Sequence, residues 1–329
     1  MRLSFYKYPI GRLISLILLG SGIILPSFPA SGTPVETRNF ASLQERNFAS
    51  LQFPSPLKLA QYNSNQSATD WLNQGLQAIN VGRVEDAIAS FNQAIKLDPN
   101  LAPAHYNLGL ALRQVGQLQP AADAFYRATL VDPKFAPAFA NLGGALLEGN
   151  NFQQANDYLQ RALQLDSKLG FAHYNFGLLR EQQGDWDKAI ASFKKAMEYS
   201  KNAPEPAYHL GISYLQQNKV DQAKDAFRKA VKINPKYSEA HYSLGTIWYN
   251  QKKPKEALEA FRKSAEANTN YPNAYYGAGL VFMQLRQYPE AAQVLQYARD
   301  LYNSQNNTLW ARNAEQLLQQ VQNLNYQPR

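Results

Sequence analysis

From residue 68 onward, apolar positions recur at helical spacing, and the whole pattern recurs every 34 residues. One stripe reads Ala87, Phe91, Ala94, then Ala121, Phe125, Ala128, then Ala155, Leu159, Ala162. Spacings of three and four place such residues on one helix face. A second stripe precedes each of these, as in Leu108, Gly109, Leu112 and Leu142, Gly143, Leu146. Each unit therefore predicts two amphipathic helices, A then B. The register is fixed by a glycine column: Gly75, Gly109, Gly143, Gly177, Gly211, Gly245 and Gly279. Seven units follow, 68–101, 102–135, 136–169, 170–203, 204–237, 238–271 and 272–305. A period in this range marks a stack of supersecondary units, each burying its face against the next.

The small residues have a packing rationale. Gly at unit position 8 and Ala at position 20 let helices A and B approach, and the large residue at position 24 is expected to fill the space between neighbouring units. Glycine inside a helix costs about 1 kcal/mol against alanine, so its recurrence argues that contact geometry prevails. The A–B turn at position 15 reads Gly82, Gly116, Asn150, Gly184, Asn218, Lys252, Arg286. Gly and Asn tolerate the left-handed conformation that closes a helix; the last two turns, with Lys and Arg, are expected to differ. Pro99, Pro133 and Pro235 stop helix B, while Pro103 and Pro137 sit in the first turn of helix A, where a missing N–H is harmless.

These columns resemble the tetratricopeptide repeat, whose pattern is W-x2-L-G-x2-Y followed by A-x3-F-x2-A and a proline. The first unit carries Trp71, Gly75, Ala87, Phe91, Ala94 and Pro99, and the second Leu108, Gly109, Ala121, Phe125, Ala128 and Pro133. The resemblance covers 68–305 and implies an all-α fold, an α–α superhelix. It also implies that helix A lines a concave groove. Read off this chain, that groove holds Asn73, Asn107, Asn141 and Asn175 at unit position 6, with Tyr106, Tyr174, Tyr208 and Tyr242 at position 5. An asparagine amide offers two donors and an acceptor, matched to an extended peptide backbone, and tyrosine adds rigid contact area with a polar tip. The alternative reading is that the asparagines are partly structural and the tyrosines pack on the neighbouring helix. Arg113 is the main groove cation, expected to face Glu148 and Glu181. The Lys/Arg pattern with which other family members grip a C-terminal carboxylate is absent.

The ends differ from the repeats. Arg2, Lys7 and Arg12 precede an apolar run, Leu13 to Leu25, and Ala30-Ser31-Gly32 offers a small-residue cleavage site. Residues 1–32 read as a secretory signal peptide or, uncleaved, a membrane anchor. Export (to a periplasmic, lumenal or extracellular space) or anchoring at a membrane follows. With no cysteine in the chain, a lipid-modified cysteine and disulfides are excluded. Residues 33–67, rich in Asn, Gln and Ser, read as a flexible leader. At the far end, 306–329 supply a capping helix and tail. Trp310, Ala314, Leu317, Leu318 and Val321 form its apolar stripe, and Thr308 its N-cap. Net charge is +8, of which residues 1–60 carry +4. The lysine runs of the repeats read as solvated faces, and no nucleic-acid motif is present.

Catalysis finds little material here. His105, His173 and His241 share unit position 4, two repeats apart, on the order of 20 Å and far beyond joint metal ligation at about 2 Å. No metalloprotease, nucleophile-elbow or phosphate-loop pattern appears. No catalytic residue, metal or cofactor is assigned. The favoured function is a non-catalytic scaffold or assembly adaptor holding an extended polypeptide in the groove. The alternatives are a structural, self-associating protein, for which Tyr297, Tyr302 and Trp310 speak, and a non-catalytic subunit of an envelope enzyme complex. The partner is another protein or peptide, and not nucleic acid.

Overall fold

The computed structural model describes residues 66–325, and among them every regular element is an α-helix. The order is α1 (Ala68–Asn80), α2 (Val84–Leu97), α3 (Ala102–Gln114), α4 (Leu118–Val131), α5 (Ala136–Glu148), α6 (Phe152–Leu165), α7 (Gly170–Gln182) and α8 (Trp186–Tyr199). Then come α9 (Glu205–Gln216), α10 (Val220–Ile233), α11 (Ser238–Asn250), α12 (Pro254–Ala267), α13 (Pro272–Gln284), α14 (Tyr288–Ser304) and α15 (Thr308–Asn325). Odd-numbered helices up to α13 are the A helices and even-numbered ones the B helices. The chain divides after Leu179, inside α7, into two compact units. The first holds the pairs α1/α2, α3/α4 and α5/α6; the second holds α8, the pairs α9/α10, α11/α12 and α13/α14, and the terminal α15. Each is a stack of antiparallel helix pairs, an α–α solenoid. The signal or anchor segment at 1–32, and the leader at 33–67 apart from Gln66 and Ser67, lie outside the described residues. No described helix is long and apolar enough to cross a membrane.

The glycine column is where the pairs close. A Cβ on Gly109 would lie 2.6 Å from the Phe125 ring, and one on Gly143 2.6 Å from Leu159 Cγ. The position-24 side chain thus rests on the glycine of its own repeat, which corrects the expectation that it fills only the space between repeats. Phe261 does both, since a Cβ on Gly245 or on Gly277 of the following repeat would meet its ring at 2.6 or 2.7 Å. Phe91, Phe125, Leu159, Phe193 and Phe227 have no exposed surface. Burying such a side chain stabilises the stack by about 1.5–3 kcal/mol.

All seven A–B turns are alike. Gly82, Gly116 and Gly184 take φ of 76, 78 and 71°, and Asn150, Asn218, Lys252 and Arg286 follow at 60, 57, 56 and 58°. The next N–H then donates to the carbonyl five residues back, as in Gln117 to Leu112 and Lys253 to Trp248, both 2.9 Å. This is the Schellman closure. The expected departure at Lys252 and Arg286 does not occur, because the packed helices impose the turn whatever residue occupies it. The B–A loops follow a pattern missed in the sequence. Asp98, Asp132, Asp166, Asn234 and Asn268 each accept a backbone N–H two residues on, at 2.9–3.0 Å. These are Asx turns.

Both ends of the array are capped. Ser67 and Asp70 form a reciprocal capping box at the start of α1. At α15 the capping side chain is Asn307, whose Oδ1 accepts the Trp310 N–H at 3.4 Å, and not Thr308, which is the first helical residue. Ala311, Ala314 and Val321 of α15 bury Tyr276, Leu295 and Tyr302 of the last repeat.

Candidate peptide-binding face

The four asparagines of unit position 6 lie on successive A helices of the first unit, yet their surroundings differ. Asn73 is exposed on α1 and Asn107 half-buried on α3. Asn141 and Asn175 are each only 4% exposed. The Asn107 amide donates to Pro103 O of its own helix at 2.8 Å. The Asn141 amide donates to Pro137 O at 3.1 Å and to the Tyr106 hydroxyl at 3.2 Å. The Asn175 amide donates to Ala140 O at 3.3 Å. Gly144 makes room for this last amide, since a Cβ there would stand 2.8 Å from Asn175 Nδ2. The row expected to be uniform is therefore split. Asn141 and Asn175 stitch α5 to α3 and α7 to α5, while Asn73 and Asn107 stay accessible.

The tyrosines divide too. Tyr106 and Tyr174, in the first unit, are half-buried. The Tyr106 ring lies 4.9 Å from Phe135 and 5.9 Å from Phe125. Burial pushes its hydroxyl up to about 12, against the opposing pull of the Asn141 hydrogen bond. In the second unit Tyr208 and Tyr242 are 7% and 2% exposed. Tyr208 packs on Phe227 and Tyr237, and Tyr242 on Phe261 and Tyr271, with ring centroids 5.3–5.7 Å apart. Burial raises both hydroxyls far above the usual tyrosine value. These two tyrosines fill the stack and present no ring to a ligand. Part of the sequence signal was unit position 34, where Tyr237 and Tyr271 close over Tyr208 and Tyr242; Phe135 packs likewise on Tyr106, which stays half-buried, so this column marks the contact and not the depth of burial.

Arg113 forms an ion pair with Glu148 at the end of α5, and its side chain is only 15% exposed. Glu181 has another partner: its carboxylate lies 3.0 Å from His209 Nδ1 within the second unit. The other histidines share one task. Nε2 of His105, His173 and His241 lies 2.9 Å from the carbonyls of Pro99, Ser167 and Pro235 respectively. Each ties helix A to the loop before it. Among the described residues no three His, Cys, Asp or Glu side chains converge as a metal site. Two of the three aromatics near the cap, Tyr302 and Trp310, are consumed by it. Tyr302 is 1% exposed and donates to Asn273 Oδ1, and Trp310 packs 5.7 Å from Tyr276. Tyr297 is 46% exposed, with its ring 4.6 Å from Tyr275.

What remains accessible on the A helices of the first unit is a strip of amides and aliphatics. Asn73, Leu76 and Asn80 share one face of α1, and Asn107, Leu110 and Gln114 the matching face of α3. Leu76 is an exposed large aliphatic on that face.

Residues 102–135 and 208–273 match models of the tetratricopeptide repeat, and 81–116 and 181–218 a model of the TPR repeat. Among solved structures, a chain of the APC/C hetero-tetramer Cut9–Hcn1 aligns at 20% identity with a TM-score of 0.60. That alignment covers 65% of this chain but only 42% of the other. Pseudomonas aeruginosa pilF aligns at 18% identity with a TM-score of 0.55, over 63% of this chain and 94% of its own. A tetratricopeptide repeat protein from Parabacteroides merdae aligns at 18% identity and 0.55, over 78% and 98%. At these identities the likeness is one of fold. No curated protein sequence matches the chain.

Proposed function

We propose that this chain, which belongs to the tetratricopeptide-repeat family, is an assembly adaptor that holds an extended polypeptide segment along the A helices of its first unit. Proteins of this fold are in general non-catalytic protein–protein interaction scaffolds. The finer reading rests on one observation: α1 and α3 leave Asn73, Leu76, Asn80, Asn107, Leu110 and Gln114 accessible on matching faces. Amides there pair with a peptide backbone whatever its sequence, and Leu76 and Leu110 give its side chains apolar contact. Asn141 and Asn175 serve the site indirectly, by fixing the A helices in register.

The test is to select peptides from a random library on the full chain, then measure their affinity for an Asn73→Ala, Leu76→Ala, Asn107→Ala variant. A loss of about tenfold or more, roughly 1.4 kcal/mol, is expected, with helicity unchanged. Selected peptides that bind the variant as tightly as the parent would sink the reading. We also propose that residues 1–32 direct export or anchor the chain at a membrane. The charged start, apolar run and small-residue site at Ala30 to Gly32 support this. N-terminal sequencing of the purified protein checks it: a start at Thr33 means cleavage, a retained Met1 with membrane fractionation means an anchor, and a retained Met1 in a soluble fraction refutes both.

A further inference from the structure

Trp248 on α11 is ringed by three cations of the second unit. Lys253 Nζ lies 5.0 Å from the centre of its ring, Lys224 Nζ 5.2 Å and Arg228 Cζ 5.8 Å. Lys224 and Arg228 come from α10, and Lys253 is the N-cap residue of α12. Each is drawn to the negative face of the indole, and gathering three like charges around one ring sets them against one another. Two carboxylates offset part of that repulsion: Asp221 at 2.8 Å from Lys224 and Asp225 at 3.4 Å from Arg228. Lys253 has no carboxylate within salt-bridge distance among the described residues. The surroundings add to the excess, since residues 219–255 hold nine Lys/Arg against three Asp/Glu.

The arrangement repeats one unit earlier in weaker form, where Lys194 Nζ lies 5.9 Å over the Tyr214 ring. In both cases a cation at unit position 25 covers the aromatic at position 11 of the next repeat. It is not a property of the repeat as such. In the first unit one equivalent pair is Asn92 and Leu112, neither a cation nor an aromatic; they line a cleft of about 450 Å³ whose charged residues, Asp123 and Arg127, are one of each sign.

We propose that the face around Trp248 is a docking site for an acidic, partly apolar polypeptide segment. Carboxylates of the segment would neutralise the unbalanced cations, and its apolar side chains would rest on the half-buried indole. Charge complementarity of this kind selects partners and speeds their encounter. Asp221 and Asp225 stand among the cations and are 88% and 75% exposed. They oppose a dense phosphate surface such as a membrane or nucleic acid, whereas a chain with spaced acidic side chains steers between them. The site lies in the second unit and is independent of the asparagine-lined face of the first.

The experiment is fluorescence anisotropy on the full chain, using a short labelled peptide of alternating Glu and Leu. The parent is expected to bind it, with affinity falling as salt rises. An Arg228→Glu, Lys253→Glu variant should bind about tenfold more weakly. The same charge change at Lys96 and Lys134, exposed residues of the first unit, should leave binding within about twofold. If the double reversal disturbs helicity, the single Lys253→Gln change at an exposed turn serves instead, with about a threefold loss expected. Undiminished binding by the variants overturns the proposal. So does an equal loss from the first-unit control, or a parent that prefers phosphatidylglycerol vesicles or single-stranded oligonucleotide to the peptide.

Discussion

In the first unit, the column two residues before each glycine reads Asn73, Asn107, Asn141, Asn175, and the tyrosines beside it are half-buried. In the second unit the same column reads His209, Ser243, Gly277, and Tyr208, Tyr242 and Tyr276 beside it are buried. Charge divides in the same place. Residues 66–179 hold seven Lys/Arg against nine Asp/Glu, and residues 180–325 hold nineteen against fourteen. One backbone plan thus carries two surfaces. Where the position-5 tyrosine is buried, as at Tyr208, Tyr242 and Tyr276, the A helix gives that side chain to the core. In the first unit, where Tyr106 and Tyr174 are half-buried, Asn73 and Asn107 stay accessible on α1 and α3. In the basic unit, three cations gather instead around Trp248.

The comparison is broken most forcefully by truncating one side chain on each side of it. Tyr242→Ala removes a ring that touches Phe261 and Tyr271 in the core, and is expected to cost about 3–5 kcal/mol. Asn73→Ala, one column over on exposed α1, should change stability by less than about 0.5 kcal/mol. Stability of a repeat array is a sum over repeats and neighbours, so hydrogen exchange resolved by helix is the suitable measurement. Comparable losses at the two positions would erase the distinction between core and surface columns.

Alkaline pH asks the same question without mutation. Tyr276 has its hydroxyl pushed up to about 12 by burial, and burial also raises Tyr208 and Tyr271 well above the usual tyrosine value. An unfolded tyrosine titrates near 10. The folded state therefore holds the proton more tightly. The stability this gives is fully present below pH 10 and is lost as pH rises from 10 through the folded value, by about 1.4 kcal/mol per pH unit for each such group. Fluorine NMR of fluorotryptophan-labelled protein separates Trp71 of the first unit from Trp186, Trp248 and Trp310 of the second. Between pH 10 and 12 the second-unit signals are expected to collapse first. Simultaneous loss would show that the first unit, through the half-buried Tyr106 and Tyr158, is equally sensitive.

The fold was legible because its signal is redundant: glycine, alanine and phenylalanine columns keep one register through seven units, and each predicts the same helix pair. The binding face was only half legible. Asn73 and Asn175 occupy the same column, and nothing in the column itself says that one is exposed and the other donates to Ala140 O. The difference lies across the helix interface, in Gly144 clearing space for the Asn175 amide and in Tyr106 offering its hydroxyl to Asn141. Such contacts join residues about one repeat apart. A period analysis places those residues in separate columns and does not read them as partners. The Lys252 and Arg286 turns failed for a related reason, since local preference was overridden by packing.

Asn141→Ala sharpens the division within the first unit. It leaves the half-buried Tyr106 hydroxyl and the Pro137 carbonyl without their donor, which should cost about 1–2 kcal/mol. Asn107→Ala removes only a bond to its own exposed helix turn and should cost less than about 0.5 kcal/mol. Urea titration followed by far-UV circular dichroism compares the two. If Asn107→Ala proves the more damaging, the assignment of Asn107 to the surface and Asn141 to the structure is reversed.

The smallest expected effect concerns the turns, which drift from Gly82 and Gly116 in the first unit to Lys252 and Arg286 in the second while keeping φ between 56 and 78°. A side chain with a Cβ is strained there, whereas glycine is not. Arg286 is exposed and its φ is 58°, so Arg286→Gly is free of packing losses. It relieves strain of about 1–2 kcal/mol, part of which is offset by the greater freedom of glycine in the unfolded chain. The expected net gain is about 0.5 kcal/mol, and Arg286→Asn should fall between the two, because asparagine tolerates the left-handed region. Gly82→Arg, at a turn where an added Cβ meets nothing within 4 Å, should destabilise by a similar amount and for the same reason. Exchange protection of α13 and α1, the helices these turns close, reads the two changes separately. Opposite signs mean that the units differ in turn residue but not in turn geometry. A loss at Arg286→Gly would mean that the arginine contributes a contact which outweighs its backbone strain.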